Sequence, residues 1–238
     1  MDDLSRWIER DAAVVWHGFT QMAAYADNAP VIVERAEGRE SVATVLWRLR
    51  RAFVTIGGAV AVIGASRALR VSILPLWCEH VGLSAAATSL VFGIAAAIDM
   101  MLFYPAGWGM DHYGRAWVAF PVVASMTVGV ALLPLTHTFG TILAVSVVMA
   151  VGNGLGSGIV MTMGADTAPS VGRAQFLGGW RLVGDIGGTS APLVVAALVG
   201  PLTLAAACVA VAAIGVVGTA WVTYWTVDLD RRRTTLRA

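Results

Sequence analysis

The chain has 238 residues, 58% of them hydrophobic and 13% charged, with a formal net charge of +1 and a mean hydropathy of +0.74. Soluble globular domains hold about 45–50% apolar and about 25% charged residues, so water is not the only solvent this sequence suits. All sixteen basic residues are arginine, which excludes the lysine Schiff base of pyridoxal phosphate enzymes and the lysine-dependent phosphate loop of P-loop ATPases, while the near-neutral charge without a basic stripe excludes nucleic acid as a partner.

Residues 1–51 are polar, with seven arginines and eight acids, Arg48, Arg50 and Arg51 clustered at the end, and no apolar run long enough to cross a bilayer. They are expected to form a cytoplasmic leader. From residue 52 to 226 only five arginines and five acids interrupt a long apolar sequence, and residues 227–238 form a polar tail rich in arginine. The central region is expected to be all-α, because spanning a hydrocarbon core of about 30 Å takes roughly 20 residues of helix. It divides at its glycine, proline and charge signals into six transmembrane helices, Phe53–Cys78, Ser84–Ala106, Trp117–Pro134, Thr141–Met163, Gln175–Val199 and Thr203–Thr226. Arginine stands before the first span, between the second and third (Arg115), between the fourth and fifth (Arg173) and after the sixth, and the other three connections carry none. By the positive-inside rule both termini are expected in the cytoplasm, giving a multi-pass protein of the inner (plasma) membrane with the lipid bilayer as its surroundings.

An ionisable side chain in a spanning helix costs at least about 2.5–3.5 kcal/mol on insertion scales, so each one needs a partner or a water-filled cavity. Arg67, Asp99, Arg181 and Asp185 are the candidates for a substrate or coupling site. Depth along the helices pairs Arg67 with Asp185 near the midplane and Asp99 with Arg181 nearer the cytoplasm. The spacing of four residues also allows a purely local pair between Arg181 and Asp185. Arg70 lies further out and is expected to snorkel toward the outer face. In the fourth span Gly152, Gly154, Gly156 and Gly158 make two overlapping G-x-x-x-G spacings suited to close helix packing, with Asn153 between them as an interhelical hydrogen-bonding residue. Gly178, Arg181, Asp185, Gly188 and Pro192 share one face of the fifth span by the helical period. Trp77, Trp117, Trp221 and Trp225 fall near span ends, as in an interfacial belt. Cys78 and Cys208 are far apart, form no C-x-x-C and read as buried structural cysteines. No cofactor or metal is expected.

The connection after the second span reads Gly107-Trp108-Gly109-Met110-Asp111-His112-Tyr113-Gly114-Arg115. It resembles the loop signature of the major facilitator superfamily, Gly-x-x-x-Asp-(Arg/Lys)-x-Gly-Arg-(Arg/Lys), with His112 and Ala116 in place of two basic residues. The resemblance implies a cytoplasmic gating loop in which Gly107 and Gly114 permit a tight turn while Asp111 and Arg115 make charge-assisted contacts at helix ends. Members of that family carry twelve helices in two six-helix halves. The degraded loop, the absence of an arginine in the fourth span and the arginine tail match the carboxyl-terminal half. The implied function is transport of a small-molecule solute by half of a secondary transporter, completed by a homodimer or a separate amino-terminal half; the other reading is a truncated or fused product without transport.

A second resemblance lies in the leader. Trp16-His17-Gly18-Phe19-Thr20-Gln21-Met22, with the stretch Pro30 to Gly38 after it, is similar to the amino terminus of the biotin-pathway adenosylmethionine-8-amino-7-oxononanoate aminotransferases and covers residues of about 7–40. Transamination by this chain is excluded on chemistry, since no lysine is present to hold the cofactor.

Overall fold

The computed structural model describes residues 41–169 and 172–237; the aminotransferase-like stretch lies outside them. Residues 40–238 make one compact unit, and its described residues are helical, joined by short turns and caps with no strand among them. A short helix α1 (Val42–Arg48) is capped by the Ser41 hydroxyl, which accepts from the Thr44 amide. The first span, α2 (Arg50–His80), follows, with a π-helical stretch at Phe53–Gly57. Next come α3 (Ala85–Met101) and α4 (Phe103–Tyr113), then α5 (Arg115–Leu132), extended by a 3-10 turn at Leu133–Leu135. The chain ends with α6 (Phe139–Leu155), α7 (Ile159–Thr167), α8 (Arg173–Val199) and α9 (Leu204–Arg237).

Five helices are long and apolar enough to cross a membrane, and α3 with α4, bent by 42° at their junction, supplies a sixth when counted as one span. Caps set the boundaries on the side away from the arginines. The Ser84 hydroxyl takes the Ala87 amide before α3, and Thr138 with Thr141 forms a capping box before α6, each meeting donors that a helix start leaves unpaired. Within the spans, hydroxyls of Ser66, Ser72, Thr127, Thr219 and Thr223 donate to carbonyls four residues back. A polar group is thereby satisfied where lipid offers no partner.

Three boundaries differ from the sequence expectation. The stretch from Gly107 to Arg115 is not an open loop: α4 runs helical through Tyr113, and Gly114 alone, at φ 95°, turns the chain into α5. Glycines read as turn signals, yet a glycine inside a helix costs only about 1 kcal/mol, and Gly109 is needed small because a methyl there would overlap Trp117. The fourth span is broken where a continuous packing stripe was expected: the helix stops at Leu155 and restarts at Ile159 after Gly158 at φ 82°, a left-handed conformation that only glycine adopts freely. The tail is no separate piece, because α9 continues to Arg237; no glycine or proline interrupts it after Gly218, and Leu229 is buried.

Helix α2 packs most closely on α8 and α5 on α9, with α6 against both α3 and α5. The α2 and α8 backbones approach through glycine: a methyl on Gly64 would sit 2.5 Å from the Gly184 carbonyl oxygen, and one on Gly187 would overlap Ala61. Two apolar clusters result. One gathers Ile56, Met110, Val118, Met163, Phe176, Trp180 and Leu229 at the arginine-bearing end. The other holds Ile73, Trp77, Val91, Met126, Ile142 and Val211 at the opposite end, together with Cys78 and Cys208, which are both buried and free. Trp77 is itself in this core, its Nε1 donating to Thr136 Oγ1 at 2.9 Å, so it is no part of an interfacial belt; Trp117 and Trp221 are exposed.

Candidate functional site

Between the two apolar clusters runs a chain of polar side chains from three helices. Arg70 on α2 and Asp99 on α3 form a two-pronged ion pair, Nη1 to Oδ1 at 3.0 Å and Nη2 to Oδ2 at 2.8 Å, with the two side chains 9% and 10% exposed. Asn153 on α6 donates from Nδ2 to Asp99 Oδ2 at 2.9 Å and accepts from Arg67 Nε at Oδ1, 2.8 Å away. Arg67 Nη1 donates to the Gly156 carbonyl at 3.2 Å. That carbonyl lies in the break between α6 and α7, where the helical ladder no longer claims it, so the glycine run provides an acceptor as well as a close approach. Gly152 packs against Ser125 and Pro121 of α5, Gly154 against Asp99 and Leu102, and Gly156 against Val122; Gly158 has nothing near its Cβ position and serves the turn alone.

The depth-based pairs do not form. Asp99 takes Arg70, the arginine set aside as outward-facing, and Arg181 pairs with Asp185 on its own helix at 3.2 Å. The reason lies in α4: its helical extension to Tyr113 moves the centre of that bent span toward Asp99, deeper than a helix ending at Ala106 would put it. Arg67 and Asp185 nonetheless share a shallow pocket of about 500 Å³ with Gly64, Ala68, Gly184, Gly188 and Thr189. Arg181 and Asp185 are 63% and 61% exposed on the open flank of α8, beside the glycine contact with α2.

A second polar cluster sits at the arginine-bearing end. Arg115 is buried; its Nε meets Asp166 Oδ2 of α7 at 2.9 Å and its Nη1 donates to the Met110 carbonyl at 2.6 Å. Asp111 is a distant third partner, 3.6 Å away and 76% exposed. Asp230 of α9 accepts from the backbone amides of Arg115 and Ala116 at 3.0 and 2.8 Å, placing a carboxylate on the positive amino-terminal end of α5. Gly107 lies inside α4 with open space at its Cβ position, while a methyl on Gly114 would stand 2.7 Å from Asp230 Oδ2. The cluster therefore ties α4, α5, α7 and α9 together. Sequence reasoning left Arg70, Asp166 and Asp230 out of the site; Asp166 and Asp230 offered only a charge beside a span end, and Arg70 was an intramembrane charge set aside as outward-facing.

A bundle of long apolar helices with a buried ion pair at mid-span and a charged pocket open on one flank is a multi-pass membrane protein. Residues 56–237 match the family model of the Major Facilitator Superfamily, and the chain belongs to that family of membrane transporters. No curated protein matches the chain. The stretch resembling the aminotransferases is outside the matched residues and draws no support from either comparison.

Proposed function

We propose that this chain is half of a secondary transporter for a small solute, working with a second six-helix half that is attached, separately encoded or a second copy of itself. In transporters built from repeats the binding site lies near the bilayer midplane at the interface between halves, and broken helices supply backbone groups to it. The observation that carries the reading is the pocket on the exposed junction of α2 and α8, where Arg67 and Asp185 stand near the middle of their helices. One half alone lacks the opposing wall. The face bearing this pocket is where the second half would close over the solute, and the cluster at Arg115 is the local lock that holds four helix ends together on the side that the arginines place in the cytoplasm.

The test is aqueous access. In a background with Cys78→Ala and Cys208→Ala, Ala68→Cys and Thr189→Cys are treated in sealed membrane vesicles with a maleimide that does not cross lipid, beside Val217→Cys on the exposed surface of α9. Labelling at positions 68 and 189 but not at 217 supports a water-filled site between halves. Protection of both pocket positions would put that face in lipid and overturn the reading. Crosslinking of a labelled second copy at the same face separates a dimer from a hetero-partner.

A further inference from the structure

We propose that the pocket between α2 and α8 receives an anionic group of the solute, a carboxylate or a comparable oxyanion, on the free edge of Arg67. This rests on the transporter reading above and adds the sign of the charge that the pocket selects.

Charge does not balance near the middle of the spans. Three guanidinium groups, Arg67, Arg70 and Arg181, face two carboxylates, Asp99 and Asp185, and each carboxylate is already paired, with Arg70 and Arg181 respectively. One positive charge is left over, and the pairing places it at Arg67, which has no carboxylate within salt-bridge distance among the described residues. A cation held in a membrane with no carboxylate in contact is disfavoured, and a bound anion offsets that.

Arg67 is held by neutral groups. Its Nε and Nη1 donate to neutral acceptors, the Asn153 side-chain carbonyl and the Gly156 backbone carbonyl. These fix the plane of the guanidinium and leave it with no carboxylate in direct contact among the described residues. Arginine has five N–H donors, and the Nη2 edge makes none of those bonds. A planar fork with an unused edge fits an oxyanion in a way that a point charge does not.

The pocket also has room. Gly64, Gly184 and Gly188 line the pocket beside Arg67, so no side chain from these positions occupies it. Asp185 lines the same pocket and is paired with Arg181 at 3.2 Å.

The sign of the potential is measured without knowing the solute. In the same cysteine-free background, Ala68→Cys is reacted with an anionic and a cationic methanethiosulfonate of similar size, each rate being divided by that for a free thiol. The expected result is a preference for the anionic reagent of about tenfold or more, since a cleft lined by one sign of charge concentrates the opposite ion. Arg67→Gln should abolish or reverse that preference and Arg67→Lys should retain it, which also excludes a mere folding defect. A cationic preference, or an anionic one unchanged in Arg67→Gln, overturns the inference while leaving the transporter reading intact. Failure of both reagents to react overturns the transporter reading and the inference with it.

Discussion

Arg70 and Asp99 meet as a buried, two-pronged ion pair between α2 and α3, with both nitrogens within 3.0 Å of a carboxylate oxygen. Removing one partner leaves the other charge buried and uncompensated, a change that costs about 3–5 kcal/mol. Arg70→Met and Asp99→Leu are each expected to lower the thermal midpoint of the purified protein in detergent by a wide margin. The double variant should recover most of the loss, because apolar side chains of similar volume replace a buried pair at little cost. Losses that simply add would show that the two residues do not act as a pair.

Asn153 is the joint between this pair and Arg67, donating to one side and accepting on the other. Leucine has nearly its shape and neither function, so Asn153→Leu removes one of the two donors on Asp99 Oδ2, which keeps Arg70 Nη2, and leaves the Arg67 Nε without its acceptor. The expected destabilisation is about 1–3 kcal/mol. In the reagent-rate measurement at position 68 the anionic preference should fall as Arg67 loses its fixed plane. An unchanged preference would mean that Gly156 alone positions the guanidinium.

The spans were legible from the sequence because twenty apolar residues bounded by breakers leave few alternatives to a membrane helix. What that reading lacks is azimuth. Arg67 and Arg70 are three residues apart and so lie near one face of α2, yet which neighbour each meets depends on how α3 and α6 pack beside it. Linear depth is also fragile: an error of seven residues in the end of the second span was enough to misplace Asp99 relative to its partner. The glycine-rich stretches misled for a related reason. Composition says that a backbone is permitted to turn or to approach another, and only packing decides which. At Gly109 it was approach, at Gly158 a turn, at Gly114 both.

The α2 and α8 contact depends on Gly64 and Gly187, whose Cβ positions face backbone atoms of the partner helix. A flexible side chain can move aside; a backbone carbonyl moves only with its helix. Gly64→Ala and Gly187→Ala are therefore expected to cost about 1–3 kcal/mol each, although alanine is the better helix former. Gly93→Ala, where nothing lies within 4 Å of the Cβ position, should leave stability equal or slightly higher. Thermal unfolding of the three variants side by side checks this. Equal behaviour of Gly64→Ala and Gly93→Ala would contradict the close approach.

At the other end of the bundle Gly114 is constrained twice, by its φ of 95° and by the Asp230 carboxylate that caps α5. Asp230→Ala removes the cap and is expected to cost about 0.5–2 kcal/mol. Gly114→Ala brings strain of about 1–3 kcal/mol from the backbone conformation and a methyl in contact with Asp230 as well. The two effects can be separated by combining them. In the Asp230→Ala background only the backbone strain remains, so Gly114→Ala should be less damaging there than in the parent protein, and the double variant should be more stable than the sum of the single losses implies. A strictly additive result in thermal unfolding would mean that the carboxylate moves aside freely and does not hold the α4 to α5 turn against α9.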